Sequence, residues 1–282
     1  MKVASAAAAA GTLAVATDAS IFEPNRPRLV RIEIPLSRLA RALDGFTIVQ
    51  LSDFHYDPYF SVVPIERAVR ISNDLSPDLV VLTGDFVSVP ALGGAKTARK
   101  AAEQAVPCVQ ILQALRARHG VWSVLGNHDA FSDPQHIEAA LQRGGIPVLR
   151  NAAIPVEREG RKLWLAGVED VLRGDADLSE ALRGIPSGDP IVLLAHEPDF
   201  ADLVARYPVD LQLSGHSHGG QVRFPLVGAI YLPPLGRKYP LGLRQIDRLT
   251  LYTNVGLGTL QIPVRWNCSP EVTLITLRSL QG

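Results

Sequence analysis

The chain has 282 residues, of which 47% are hydrophobic and 20% charged, and both fractions are ordinary for a globular protein with a sizeable core. Its 28 Lys and Arg balance 28 Asp and Glu, so the net charge supplies no overall attraction to nucleic acid or to an anionic membrane. With only Cys108 and Cys268, a disulfide framework and a thiolate zinc site are excluded, and two buried structural cysteines are favoured over a single bridge.

The amino-terminal segment has an unusual composition. Lys2 is followed by an uncharged, Ala-rich run over residues 3–17 that contains Ala14-Val15-Ala16. This pattern is typical of a secretory signal and is too short for an ordinary membrane span, with a disordered tail as the alternative. We therefore expect residues 1–20 to lie outside the fold and residues 21–282 to form one domain. A signal implies export or a cell-envelope location; a mere tail leaves the protein cytoplasmic.

The first half of the chain alternates strand patterns with helical ones, which is typical of an α/β domain. Strands are predicted at Leu29–Ile34, Phe46–Leu51, Asp78–Thr83 and Val121–Leu125. Helices are predicted at Val63–Leu75, Ala95–Arg118 and Gln135–Arg143. Pro107 should break or kink the second of these helices.

The second half is richer in strands. A hairpin is predicted from Ile154–Arg158 and Lys162–Gly167, and further strands at Ile191–Ala195, Val209–Leu213, Leu249–Asn254 and Glu271–Leu277. Short helices are expected at Asp177–Arg183 and Pro198–Arg206. Phe224–Asp247 is rich in Pro and Gly and is predicted to be a long loop, a kind of segment that is usually functional. No linker divides the chain, so we expect one domain with two sheets.

Five buried-strand patterns end in residues that bind metal or move protons. These residues are Asp53, His55, Asp85, Asn127, His128, Asp129, His196, His216 and His218. The carboxyl ends of strands are where chemistry sits in α/β proteins, so these side chains are expected to converge. An isolated His is usually structural, as we expect for His119 and His136, but five at strand ends beside carboxylates favour a metal site.

The donor types narrow the choice of metal. Imidazole and oxygen ligands without thiolate suit Mn, Fe or Zn. Asp53 and His55 are two residues apart, so in an extended segment both point to one side and can share a metal. A glycine just before Asp85, Asn127 and His216 lets the backbone turn sharply.

These motifs resemble a known family. Asp-x-His, Gly-Asp, Gly-Asn-His-Asp, a later His and Gly-His-x-His, in that order over about Phe46–His218, resemble the calcineurin-like metallophosphoesterase superfamily. Residues 214–221, Gly256-Leu257-Gly258, Pro263-Val264-Arg265 and Pro270-Glu271 resemble its bacterial phosphodiesterase-like branch, whose members often carry an N-terminal signal or anchor. The motifs are specific for the superfamily and weakly specific for substrate. The implied fold is a four-layer α/β/β/α sandwich of two mixed sheets flanked by helices.

The resemblance also implies a ligand set for two transition-metal ions. Asp53, His55 and His218 match the ligands of the first metal, Asn127, His196 and His216 those of the second, and Asp85 the bridge between them. His128 matches the family's outer-sphere acid, with Asp129 as its orienting partner. The family often has a further acid shortly after Gly-Asp, where this chain has Ser88, but that position is not a core ligand.

The chemistry expected of such a centre is hydrolysis of a phosphoester. Two cations that share a carboxylate bind a hydroxide between them as nucleophile and align the phosphoryl oxygens, while His128 donates a proton to the leaving oxygen. Arg265 and Arg237, or Lys238 beside it, are candidates to hold the substrate phosphate. The alternative for each is an ordinary solvated side chain.

The predicted function is a phosphoesterase acting on diesters or pyrophosphates of a phosphorylated small molecule or a lipid-linked substrate. Pro225–Leu243 is the segment where an acyl chain or a membrane face would dock peripherally, although an ordinary packed loop is the alternative. A catalytically silent metal-binding or scaffold protein is the rival from another class, and its signature would be losses at ligand positions or at His128. Zero net charge argues against a nuclease, and no protein partner is inferred.

Overall fold

The computed structural model describes residues 11–90 and 94–280. Its strands are β1 (Arg28–Leu36), β2 (Thr47–Leu51), β3 (Leu79–Leu82), β4 (Val121–Ser123), β5 (Ala152–Arg158), β6 (Arg161–Gly167), β7 (Ile191–Leu194), β8 (Leu211–Ser214), β9 (Arg223–Phe224), β10 (Gly228–Ala229), β11 (Gly242–Ile246), β12 (Leu249–Thr253) and β13 (Glu271–Ser279). The helices are α1 (Val62–Asp74), α2 (Ala95–Ala102), α3 (Ala105–Leu112), α4 (Asn127–Ser132), α5 (Pro134–Arg143), α6 (Leu178–Ala181) and α7 (Ala201–Val204).

The strands form two large mixed sheets. The first has the order β1-β13-β2-β3-β4 and the second the order β11-β12-β8-β7-β6-β5, while β9 and β10 make a small separate pair. Strands β2, β3 and β4 run parallel, as do β6, β7, β8 and β12. The carboxyl ends of the strands in each parallel run therefore lie at one edge of their sheet.

Alternate residues of the inner strands pack into different layers. In β3, Leu79 and Val81 join a core shared by both sheets, whereas Val80 and Leu82 face α1, α3 and α5. In β7, Val192 and Leu194 join the shared core, whereas Ile191 and Leu193 face α6 and α7. Strands covered on both faces read as continuous apolar runs, as predicted. The predicted four-layer α/β/β/α sandwich is confirmed.

The predicted helix Ala95–Arg118 is wrong in its extent and in the position of its break. The chain forms α2 and α3, which are separated at Glu103 and Gln104. Pro107 lies in the first turn of α3, where a backbone N–H would have no partner within the helix. Beyond the end of α3, Asn73 of α1 donates to the Ala114 carbonyl (2.8 Å) and accepts from the Arg116 N–H (2.9 Å), which holds this segment outside the helix.

The predicted loop Phe224–Asp247 contains a strand at its far end. Gly242–Ile246 pairs antiparallel with β12 and forms one edge of the second sheet. Its middle residues are exposed, so it lacks the buried apolar run that marks the inner strands. Helix α4, which begins at Asn127, was also not predicted.

The amino-terminal segment is helical where the structure describes it. Residues 11–17 are α-helical and Asp18–Phe22 forms a π-helical turn. Ala19 is buried, and its carbonyl accepts a hydrogen bond from the Arg265 backbone N–H at 2.9 Å. Residues 1–10 lie outside the described range, and the domain boundary near residue 20 remains a prediction. Within the described residues, no helix combines the length and apolarity required to cross a membrane.

Candidate metal centre

A first cluster of donor atoms lies just after the carboxyl ends of β2 and β8, one strand from each sheet. Asp53, His55 and His218 each offer one ligand atom within 4.8 Å of the others, and all three side chains are buried. The Nε2 atoms of His55 and His218 are 2.9 Å apart, and Nε2 of His218 is 3.4 Å from Asp53 Oδ1. The structure thus brings the three residues predicted for the first metal into one group.

A second cluster lies beside the first, at the ends of β3, β7 and β8. Its members with mutually close ligand atoms are Asp85, His196 and His216. Asn127 joins them because its Oδ1 lies 2.9 Å from Nδ1 of His216. These are the residues predicted for the second metal.

Asp85 connects the two clusters. Its Oδ2 lies 3.4 Å from Nε2 of His55 and 3.1 Å from Nε2 of His196, one residue from each cluster. Its Oδ1 accepts a hydrogen bond from the His128 backbone N–H at 2.9 Å. One carboxylate oxygen therefore faces both clusters, which is the position the bridging role requires.

Five of the seven ligand candidates have left-handed backbone conformations. Their φ values are 49° for Asp53, 38° for His55, 58° for Asp85, 67° for His216 and 52° for His218. Non-glycine residues rarely adopt this region, and such strain persists where the surrounding structure imposes it. Asp53 and His55 share a cluster as predicted. The prediction assumed an extended segment, which is wrong, because both residues have a left-handed backbone.

Two glycines of the motifs are required for space, not for a turn. Gly84 has φ +94° and fits the predicted turn, but Gly126 and Gly215 do not have positive φ. A Cβ on Gly126 would lie 2.4 Å from Asp85 Oδ1, and one on Gly215 would lie 1.9 Å from Ser52 Oγ. Close approach of backbone segments at the centre accounts for both.

Backbone carbonyls orient two of the imidazoles. Nδ1 of His196 lies 2.6 Å from the Thr83 carbonyl, and Nε2 of His216 lies 2.8 Å from the Pro234 carbonyl. A carbonyl only accepts, so each of these nitrogens carries the proton. The other nitrogen of each ring is directed at the cluster, and this outer contact fixes the tautomer, as in metal-binding histidines.

Burial keeps most of the imidazoles neutral. It lowers the pKa of His55 to about 3 and that of His216 to about 4, and it holds the pKa of His218 well below its usual value. Burial also opposes charge on His196, but the Asp85 carboxylate outweighs it and raises the pKa of His196. Neutral imidazole is the form that binds a metal.

The donor set fits two transition-metal cations. His216, neutral and donating from Nε2 to Pro234, turns an Nδ1 lone pair toward Asn127 Oδ1 at 2.9 Å. Nε2 of His196 is buried and faces Asp85 Oδ2 at 3.1 Å. Acceptors that face one another repel unless a cation lies between them. Nitrogen and oxygen donors without thiolate suit Mn, Fe or Zn.

His128 lies next to the first cluster with its ring perpendicular to that of His55, at a centroid distance of 4.8 Å. The Val89 backbone N–H donates to His128 Nδ1 at 2.9 Å. Nε2 therefore carries the proton when the ring is neutral. A ligand atom of His128 also lies within 4.8 Å of ligand atoms of His55 and Asp85.

Asp129 does not have the contact predicted for it. Its carboxylate accepts hydrogen bonds from the backbone N–H groups of Gly126 (3.0 Å), Phe86 (2.9 Å) and Val87 (3.2 Å). The N–H of Val89, not Asp129, orients the His128 ring. Asp129 instead fastens the loop after β3 to the start of α4.

The predicted phosphate contact of Arg265 is not what the structure shows. Its side chain is fully buried and donates four hydrogen bonds to the backbone carbonyls of Val255, Gly258 and Cys268. We assign it a structural role. Arg237 is exposed, with its Nε 3.3 Å from the Leu232 carbonyl, so its substrate contact remains a prediction. Lys238 is paired with Asp202 at 2.8 Å.

The profile of the calcineurin-like phosphoesterase family matches residues 46–220. The chain belongs to this family. The match begins just before β2 and ends just after His218, and so includes every residue of both clusters.

Relatives extend the similarity beyond that range. An uncharacterized metallophosphoesterase of Bacillus subtilis, YkuE, is 35% identical over 263 residues, covering 93% of this chain and 89% of that protein. The phosphodiesterase YaeI of Escherichia coli is 31% identical over 235 residues, 82% of each chain. A zebrafish transmembrane protein with a metallophosphoesterase domain is 34% identical, with the match covering 89% of this chain but 57% of that protein.

Several further residues of this family member support the centre, although none was predicted as a site residue. Thr83 and Pro234 act through their carbonyls and Val89 through its N–H, roles that any side chain allows. Gly256 and Gly258 give room to the first cluster, since a Cβ would lie 2.6 Å from Asp53 Cβ and 2.1 Å from the Phe54 carbonyl oxygen respectively. Only the Gly-x-Gly spacing gave a signal for any of these.

Proposed function

We propose that this protein is a dinuclear, metal-dependent phosphoesterase that hydrolyses phosphodiester or pyrophosphate bonds. The observation that carries the proposal is the position of Asp85 Oδ2, within 3.4 Å of one imidazole from each cluster. A shared carboxylate between two donor clusters is the arrangement of two-metal hydrolytic sites. Membership of the calcineurin-like phosphoesterase family supports it.

The protein's own residues hold and orient the donors. Asp53, His55 and His218 would hold one cation, Asn127, His196 and His216 the other, and Asp85 both. The chemistry supplied by two bound cations is activation of a water molecule as nucleophile and polarisation of the phosphoryl oxygens. The carbonyls of Thr83 and Pro234 direct the other nitrogen of their imidazole partners toward the centre.

His128 is the proposed proton donor to the leaving oxygen. The Val89 N–H occupies Nδ1, so the proton at Nε2 faces away from that contact. A positioned imidazole of this kind contributes about 10²–10⁴ in rate. The Asp85 contact to the His128 backbone N–H ties the start of α4, and with it the ring, to the bridging carboxylate.

The diester preference, the location and the partners belong to the same proposal. The name of the E. coli relative supports a preference for diesters. The Ala-rich amino-terminal segment and a relative named as a transmembrane protein support a location in the cell envelope. We propose a phosphorylated small molecule or a lipid-linked phosphoester as substrate, with peripheral membrane contact and no nucleic acid.

The proposal is tested with metal-stripped protein. Hydrolysis of bis-p-nitrophenyl phosphate and of p-nitrophenyl phosphate is measured after Mn, Fe, Zn or Mg is added back singly, with bound metal counted in each sample. Restoration of diester cleavage by a transition metal, with two ions per chain, supports the proposal. Two bound ions without turnover of either compound would favour the catalytically silent scaffold.

A further inference from the structure

An apolar cleft opens directly beside the metal centre. It has a volume of about 380 Å³, and His216 and His218, one from each cluster, form part of its floor. That volume lies within the usual range for small-molecule sites, about 300–1,000 Å³. A larger groove of about 760 Å³ elsewhere on the protein is lined by both charged and apolar residues and contains none of the seven metal-ligand candidates. Of these two cavities, the cleft is therefore the one that adjoins the metal centre.

The lining of this apolar cleft does not suit a charged group. None of the described residues that line it carries a carboxylate, an ammonium or a guanidinium. Among its polar side chains, Ser217 Oγ donates to the Pro240 carbonyl (2.6 Å) and accepts from the Gly219 N–H (3.1 Å). The amide of Gln221 is likewise taken up by backbone groups. A further phosphate would lose its hydration there without meeting a charged partner.

The two walls of the cleft are fixed by the protein itself. Nε2 of Gln221 lies 3.2–3.3 Å from the carbonyl oxygens of Leu260, Ile262 and Val264 and shares its two hydrogens among them. Its Oε1 accepts from the Leu260 N–H, and these contacts hold the 260–264 wall. The other wall is formed by Ile230 and Tyr231. The preceding residue, Ala229, packs on Gly220, where a Cβ would lie 2.3 Å from Ala229 Cβ. A preformed site avoids the cost of ordering loops when a ligand binds.

Large apolar side chains stand exposed on both walls. Ile230 is 73% exposed, Tyr231 67% and Ile262 63%, and all three line the cleft. Concentrated exposed apolar surface of this kind marks binding sites. Because this apolar surface lies beside the donor clusters, we expect it to bind a part of the substrate.

We propose that the apolar cleft binds the hydrocarbon chain of an amphiphilic phosphoester whose phosphate lies on the metal centre. This deepens the proposed function and rests on it. The occupant is a single alkyl or acyl chain, because the walls present hydrocarbon groups and no charge to it. In the reaction, the oxygen of one water bonds to phosphorus as the bond from phosphorus to the leaving oxygen breaks. The leaving oxygen takes a proton from His128, and the proton lost by the water replaces it.

The test uses diesters that share a leaving group. Ethyl and hexyl p-nitrophenyl phosphate are compared below the concentration at which the hexyl compound aggregates; each consumes one water and yields an alkyl phosphate and p-nitrophenol. A fully buried methylene is worth about fourfold in affinity. We expect kcat/KM to be at least about tenfold higher for the hexyl ester, allowing for incomplete burial. Equal values for the two esters would overturn the proposal.

Variants assign the effect to the cleft. Ile230→Asn and Ile262→Asn place a polar group on each wall at exposed positions, and both are expected to reduce the hexyl-to-ethyl ratio to near one. Leu226→Asn is the matched control, because Leu226 is a fully exposed apolar residue of the same region outside the cleft lining. If Leu226→Asn lowers the ratio as much, a general apolar surface and not the cleft is responsible, and the proposal fails.

A binding measurement separates this inference from the proposed activity. Calorimetric titration of metal-loaded protein with methylphosphonate and hexylphosphonate needs no turnover. Tighter binding of the hexyl compound, lost in Ile262→Asn, supports the cleft as a hydrocarbon site. If no ester is hydrolysed in that case, only the proposed activity is contradicted. Equal binding of the two phosphonates, or faster cleavage of a p-nitrophenyl nucleoside phosphate than of the hexyl ester, contradicts the hydrocarbon assignment.

Discussion

The floor of the candidate site and its rim are built in opposite ways. The floor consists of strand ends where six of the seven candidate ligand side chains are buried and five have a left-handed backbone imposed by neighbouring segments. The rim, residues 224–231 and 260–264, carries exposed apolar side chains on loops and on the short β9–β10 pair. The floor suits a fixed chemistry and the rim suits discrimination between substrates, which is the usual division between scaffold and loops.

The largest effect is expected at the floor. Asp85→Asn removes the charge that faces both clusters, so activity should fall by at least about a thousandfold, equivalent to about 4 kcal/mol of transition-state stabilisation. Metal analysis should show loss of at least one ion. Asp202→Asn, at an exposed carboxylate paired with Lys238, is the control and should change neither quantity. Full activity in the Asp85 variant would refute the shared-carboxylate scheme.

His128→Gln separates catalysis from metal binding within the floor. Turnover should fall by about 10²–10⁴ because a positioned proton donor is lost. The metal content should stay at the wild-type value, as measured on the same samples. His136→Gln, on helix α5, serves as the matched control. Loss of metal together with turnover would make His128 a ligand, since its ring offers a ligand atom within 4.8 Å of those of His55 and Asp85.

Substitution of Arg265 tests whether this side chain stabilises the fold, in contrast to the exposed Arg237. Arg265→Met leaves three buried carbonyls without a charged donor, so the free energy of unfolding should drop by about 3 kcal/mol. For a chain of this size that corresponds to a Tm lower by about 6–12 °C. Arg237→Met should keep the wild-type Tm, since Arg237 is exposed, and should raise KM if Arg237 contacts substrate. An unchanged Tm for Arg265→Met would contradict the structural role.

Metal removal should lower the free energy of unfolding by slightly less than Arg265→Met does. A ligand at a hundred times its Kd stabilises the folded state by about 2.7 kcal/mol. We therefore expect a chelator to lower the Tm by about 5–11 °C in calorimetry, with recovery when a transition metal is restored. Ile262→Asn, which alters only the rim, should show the same shift on metal removal as the wild type. No shift in either protein would argue against occupation of the clusters.

The same contrast explains what the sequence predicts well. The ligand candidates follow buried apolar runs, and such runs mark inner strands whose ends converge in an α/β fold. The left-handed backbone at Asp53 and His55 was not predictable, because contacts from distant segments impose it. The role of Arg265 was missed for a related reason: a lone basic residue near a predicted site gives no sign of whether it is buried. Edge strand β11 has no buried run, and so it was taken for a loop.

The place of β13 in the first sheet has a consequence for how the protein acquires its fold. This strand follows every other element in the chain, yet it lies between β1 and β2 and pairs with β1 over nine residues. Until it arrives, the sheet that carries Asp53 and Asp85 is divided at an inner position. Such long-range pairing slows folding, and during synthesis the amino-terminal segments emerge first. The sheet that supports the metal centre is therefore complete only after the last strand of the chain has been inserted.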